Sequence, residues 1–280
     1  MHWIDWGIVI LLIGFITGLA ISTKKYMQSV ADFLSANRCA GKYLLGVADG
    51  MSGLGAVSIV AIFEMTYKAG FTASWWKLML LPVGVVIAST GWVQYRFRQT
   101  RALTMAQFFE IRYSRNFRVF AGVMGWISGL INFGIFPAVG GRFFQYYCGF
   151  PSWPVMLGGF EIDLMYGLIM AALLLVSLAF TFMGGQIAVM VTDFVQGMFV
   201  NAVFVLMGIY MLFFMLDWGQ VVDAAIQFAP ADASLLNPMK TGNTDNFNVT
   251  FFLISAFGAF YAFMAWQGSQ GYFSSARSPH

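Results

Sequence analysis

The chain has 280 residues, of which 59% are hydrophobic, 18% aromatic and 10% charged, with a mean hydropathy of +0.74 and a formal net charge of +3. Soluble domains carry about 25% charged and about 45 to 50% apolar residues, so the apolar excess belongs in a lipid bilayer, and a secreted disulfide scaffold, a disordered tail and a soluble enzyme are excluded. One helical span needs roughly 20 apolar residues, so about seven fit, and the expected fold class is all-α, a polytopic membrane helix bundle.

Apolar runs bounded by charged or turn residues predict seven spans in order. Span A covers Trp3 to Ile21, B Tyr43 to Tyr67, C Thr72 to Gln94 and D Val119 to Tyr147. Span E covers Asp163 to Met183, F Gln186 to Leu216 and G Val249 to Phe273. Asp5 precedes the apolar run of A and Lys24 and Lys25 follow it, the charge order of an uncleaved helix with its N-terminus outside. Pro82 and Pro137 are expected to kink C and D. D and F exceed a straight crossing, which predicts tilt or a portion outside the hydrocarbon. Between C and D, Met105, Phe108, Phe109 and Ile111 predict an amphipathic helix along the inner face. Between F and G, the stretch Asp217 to Asn248 holds four aspartates and two prolines and reads as an extracytoplasmic loop with a short surface helix.

Alternating from an outer N-terminus, the inner segments hold Lys24, Lys25, Arg38 and Lys42, then Arg96, Arg98, Arg101, Arg112, Arg115 and Arg118, then Arg277. That is eleven basic residues, against Lys68, Arg142 and Lys240 outside, a strong positive-inside bias. The expected location is a cell membrane, the bacterial inner membrane, crossed several times. Cys39 and Cys148 fall on opposite sides and cannot pair. His2 and His280 are the sole imidazoles and stand at the chain ends, which excludes axial haem ligation and argues against zinc. No organic cofactor and no nucleic-acid partner is expected.

Ionisable residues inside spans are costly and mark function by default. They are Asp49 and Glu64 in B, Lys77 in C, Arg142 in D and Asp193 in F. Glu64 and Arg142 stand near outer ends, where pairing or snorkelling accounts for them. Lys77 has two readings: a cation facing an anionic solute, or a side chain snorkelling to the outer interface. Span B is rich in glycine around Ala48-Asp49-Gly50-Met51-Ser52-Gly53. The glycines fit either a close-packing face or a helix break that frees carbonyls for a cation. Depth favours the break. Ala48 to Met51 lie about 8 to 12 Å in from Tyr43, and Asp193 lies about 10 Å in from Gln186. Carbonyls and one carboxylate at a shared level suit a hard cation such as sodium.

The residues Asp32-Phe33-Leu34, the Ala48 to Gly53 run, and Gly184-Gly185 followed by Ala188-Val189 and Thr192-Asp193-Phe194-Val195-Gln196 resemble the solute:sodium symporter family. Trp266 and Gln270 in span G, and Leu103 through Tyr113, are similar to further segments of that family. The resemblance implies the inverted-repeat fold of the leucine transporter with one extra helix in front. Residues 3–21 would be that helix, 43–216 the first five-helix repeat, 217–248 an outer loop and 249–273 the first helix of the second repeat. It further implies that sodium, the coupling ion, is held by the carbonyls of Ala48 and Met51 and the carboxylate of Asp193. Ser52, Gly53, Trp266 and Gln270 then match the solute side, with Lys77 added for an anionic solute.

Two departures bear on the solute. Proline-transporting members carry Asp directly before the Met of the broken helix, where Gly50 stands here. Sugar-transporting members use a Gln where this chain has Gly55, and tyrosines where it has Met264 and Ala265. The expected function is sodium-driven inward transport of a small polar or anionic solute by alternating access, without enzymatic chemistry. The chain ends just after span G, so it is expected to be a fragment of a single transmembrane domain, unable to transport alone. The alternative is a symporter-like sensor domain attached to a soluble signalling domain. An intramembrane aspartyl enzyme using Asp49 and Asp193 is disfavoured, because the sodium reading explains both the glycine break and the acid.

Overall fold

In the computed structural model, residues 2–241, 248–261 and 267–279 are described. Helix α1 (Trp3–Thr23) is apolar around its whole circumference, and its start is fixed by a reciprocal cap: Ile4 N donates to His2 Nδ1, and His2 N donates to Asp5 Oδ2 at 2.7 Å. A short α2 (Val30–Ser35) follows, capped by Ser29. Span B forms two helices, α3 (Lys42–Ser52) and α4 (Ala56–Ala69), because Gly53 and Gly55 bracket the interval between them. Span C forms α5 (Phe71–Met79), α6 (Leu81–Thr90) and α7 (Trp92–Gln99). Pro82 was expected to kink a continuous helix and instead stands in the first turn of α6, where its missing N–H costs nothing. Gly91, at φ 66°, ends α6 in the left-handed conformation.

The amphipathic segment forms α8 (Met105–Arg112), and span D forms α9 (Arg115–Cys148), which runs on through Pro137. Between α9 and the next helix lies a two-stranded antiparallel hairpin that the sequence reading did not anticipate, β1 (Pro154–Leu157) and β2 (Phe160–Asp163). Its two-residue turn, Gly158-Gly159, has positive φ at both positions, which glycine adopts without strain. Spans E and F share one helical run, α10 (Leu164–Tyr210), broken in conformation at Gly185 (φ 53°, ψ −144°) and ending in a π-turn, Met211–Met215. The surface helix of the F–G segment is α11 (Trp218–Gln227). Span G begins as α12 (Val249–Tyr261); beyond the undescribed interval it continues as a 3₁₀ turn, Gln267–Ser269, and α13 (Gln270–Ser275), so it is not the uniform helix expected.

Among the described residues, four helices are long and apolar enough to cross a bilayer, and α3 with α4 would make a fifth. The count is below the seven expected because E and F merge into a run of 52 residues and the described part of G is short. At 1.5 Å per residue the parts before and after the break at Gly185 are about 32 and 45 Å long, each enough for one crossing. Large apolar side chains such as Trp126, Leu206 and Phe213 face outward, as lipid requires. The chain is an all-α multi-pass membrane protein.

It divides into two units. The first comprises Met1–Val57, Phe97–Met198 and Gln267–Pro279. Within it, Gly184 and Gly185 let α10 approach α1 and α2. A Cβ on Gly184 would stand 2.8 Å from Thr23 Oγ1, and one on Gly185 2.8 Å from the backbone of Phe33. Helices α8 and α9 form a hairpin in which Phe109 meets Phe117 edge-on. Gly141 brings α9 close to Tyr166 and Met170 of α10, and Tyr166 Oη donates to Ala138 O at 3.1 Å. A parallel bridge pairs Ala40 with Ala276, and Arg98 Nε donates to Ala276 O at 2.7 Å.

The second unit comprises Ser58–Arg96 and Phe199–Trp266. There Gly70 (φ 55°) turns the chain so that Phe71 N donates to Leu235 O at 2.8 Å. Trp76 Nε1 donates to Pro238 O at 2.9 Å, and its ring stacks on Phe252 at 5.4 Å.

Candidate functional site

The site grows from the end of α3. Gly53 and Gly55 disfavour helix, so the chain leaves the helical path after Ser52. The last four carbonyls of a helix have no partner within it. Here Ser52 Oγ donates to Asp49 O at 2.7 Å and Leu54 N donates to Met51 O at 2.9 Å, a turn that closes the helix end on itself. Gly53 N donates to Met51 O as well, so that carbonyl accepts twice.

Helix α10 supplies the opposing wall. A Cβ on Gly197 would lie 2.7 Å from Val47 Cγ1 and 3.4 Å from both Val47 O and Met51 Cβ, so the missing side chain lets α3 close against α10. Asp193 stands four residues earlier, on the same face. Its neighbour Thr192 is turned back on the helix, its hydroxyl donating to Ala188 O and Val189 O. Ala48 is fully buried in a core cluster with Ala36, Ala40, Met190 and Tyr272. From α13, the Tyr272 hydroxyl donates to Asp193 Oδ2.

The structure therefore gathers Ala48, Met51 and Asp193, all within the first unit, around Gly197 and Tyr272. Among the described residues, no three His, Cys, Asp or Glu side chains lie together. The donors here are backbone carbonyls and one carboxylate, which suit a hard cation bound through oxygen. Tyr272 and Gly197 were missed in the sequence reading. Gly197 could have been found from its position one turn past Asp193.

The expected solute-side residues separate. Ser52 and Gly53 lie exposed at the end of α3. Gln270 Oε1 accepts from Met105 N at 2.8 Å, and the residue lines a cavity of about 280 Å³ with Phe33, Thr104, Gly185 and Gln186. Neither Ser52 nor Gly53 lines that cavity. Trp266 lies outside the described residues. Lys77 is exposed on α5, in the second unit. The other span charges have local partners: Glu64 pairs with Lys68 at 2.6 Å, and the Arg142 guanidinium lies 4.2 Å from the centre of the Tyr166 ring. Neither Cys39 nor Cys148 is in a disulfide.

The model of the Sodium:solute symporter family matches residues 33–265. A sodium/proline symporter of Staphylococcus aureus is 24% identical over 217 residues, covering 74% of this chain and 39% of that protein. The sodium/proline symporters of S. aureus strains JH9 and Mu3 are each 24% identical over 228 residues, covering 78% of this chain and 40% of theirs. The chain thus spans about two fifths of the length of these curated relatives. No solved structure matches it significantly.

Proposed function

Since the chain belongs to the sodium:solute symporter family, we propose that it acts in sodium-coupled inward transport of a small polar or anionic solute by alternating access. The observation that carries this reading is the approach of α10 to a glycine-broken helix end: Gly197, one turn past Asp193, packs against Val47 and Met51 at the end of α3. In this reading the carbonyls of Ala48 and Met51 and the Asp193 carboxylate hold the sodium ion. Bound there, the ion would tie α3 to α10 and favour the state that takes up solute from outside. Its departure to the inside would release that tie.

The solute would meet Ser52 and Gly53, which are exposed at the break. The relatives' name specifies proline, but Gly50 stands here where the proline pattern carries Asp, so a solute other than proline is favoured. An outer N-terminus follows from the eleven-to-three charge bias.

The test is Asp193→Ala in reconstituted protein. The expected result is a rise of tenfold or more in the sodium concentration for half-maximal solute binding, with solute affinity at saturating sodium changed far less. An unchanged sodium dependence would remove Asp193 from the ion site.

A further inference from the structure

Tyr272 is 3% exposed, and a buried phenol needs an acceptor for its proton. That acceptor is Asp193 Oδ2, the carboxylate assigned to sodium above. A hydroxyl donating to a carboxylate makes a charge-assisted bond, stronger than one between neutral groups. A cation that takes this same oxygen opposes the hydroxyl proton pointed at it, and the two then compete for Oδ2. Helix α13 has six residues, too few to be stable alone. Its place is set by the burial of Tyr272, Ser274 and Ser275 and by tethers, namely the Gln270 bond to Met105, the Ala40–Ala276 bridge with the Arg98 bond to Ala276 O, and the Tyr272 bond.

We infer that the Tyr272 hydroxyl is a latch on the ion site, holding Gln270–Ser275 against α10 while Asp193 is free of cation and letting go when the cation binds. Tyr272 is thus a positioning residue, and the latch links ion binding to movement of the segment that follows α12. The inference rests on the reading of Asp193 as a sodium ligand.

Tyr272→Phe removes the oxygen and keeps the ring in its core. Binding of radioactive sodium to reconstituted protein should then be half-saturated at about tenfold lower sodium, equivalent to about 1.4 kcal/mol. Solute affinity at saturating sodium should not change. A merely structural lesion would weaken sodium binding, so an unchanged or raised half-saturation overturns the latch. Asp193→Asn separates the two readings. If it leaves sodium binding intact, the ion site itself is wrong; if it weakens sodium binding while Tyr272→Phe shifts nothing, the latch alone fails.

A second measurement keeps the tyrosine in place. Ser274, 1% exposed, is changed to Cys in a background carrying Cys39→Ser and Cys148→Ser. Sodium should accelerate its labelling by a thiol reagent several-fold, and adding Tyr272→Phe should make labelling fast without sodium. Labelling that ignores sodium when Tyr272 is present overturns the proposal even if the Phe variant fails to fold.

Discussion

Gly185→Ala tests whether the division of α10 is set by backbone conformation and close packing together. Gly185 has φ 53° and ψ −144°, a conformation that glycine reaches freely and other residues reach at a cost of about 1 to 3 kcal/mol. A Cβ there would also lie 2.8 Å from Phe33 Cα, Phe33 O and Phe33 Cδ2. Two of those atoms are backbone, so a rotamer change cannot relieve the clash, and forced overpacking costs typically about 1 to 3 kcal/mol. Together the substitution should destabilise the first unit by about 2 to 6 kcal/mol. At about 2 to 4 °C per kcal/mol for a chain of this size, Tm should fall by roughly 10 °C. The control is Gly134→Ala in α9, where nothing lies within 4 Å of the added methyl and the helix should gain about 0.5 to 1 kcal/mol. Thermal unfolding of the two purified variants in detergent, followed by tryptophan fluorescence, makes the comparison. A Gly185→Ala protein melting within about 2 °C of the parent would refute the reasoning, because either the turn or the contact with Phe33 would have to be absent.

Gly197→Leu should push α3 away from α10 at Val47 and Met51. The sodium concentration for half-maximal binding should therefore rise at least tenfold although no ligand is altered, and an unchanged value would separate the glycine contact from the ion site. The Asp163 carboxyl is held below the usual carboxylate range, first by the Gln145 side-chain amide and then by the backbone amides of Trp153, Tyr166 and Met165. A depressed folded pKa gives stability that is present above the unfolded value, about 3.9, and lost as pH falls through the folded one. Acid titration of Trp153 fluorescence should show the β1–β2 hairpin loosening below about pH 4, and Asp163→Asn should remove that transition; a transition that persists would assign it to another carboxyl.

Much of the architecture is legible in the amino-acid order, because a bilayer imposes its own ruler. Apolar run length places α1, α9 and the two parts of α10 to within a few residues, and the glycine pair at Gly184-Gly185 marks their division. The interruptions inside spans are less legible. Pro82 signals a discontinuity but does not say whether it lies before or after the ring, and the answer, a new helix starting at Leu81, depends on the first-turn tolerance of proline. The β1–β2 hairpin is missed because its eight strand residues are apolar enough to read as loop between spans, although Gly158-Gly159 is a hairpin turn by composition.

Rotation about the helix axis is harder to read than depth along it. Depth follows from counting: Asp193 is about 10 Å past Gln186, and Tyr272, five residues before Arg277, is about 7.5 Å from that end. The same count that paired Asp193 with Ala48 and Met51 would have brought Tyr272 to their level. It would not have chosen between Tyr272 and Gln270, which stand two residues apart and so about 200° apart around α13. The structure sends Tyr272 to Asp193 and Gln270 to Met105. In a soluble helix an apolar stripe would mark which face turns inward, but among lipid-facing neighbours apolar residues occupy every face and the periodic signal is lost. The rotation is set instead by where small residues permit contact. Gly271 shows this: a Cβ there would meet the side-chain amide of Gln186, so glycine lets α13 settle on the start of the second half of α10 with that amide in place, and the next residue, Tyr272, reaches the carboxylate about two turns along.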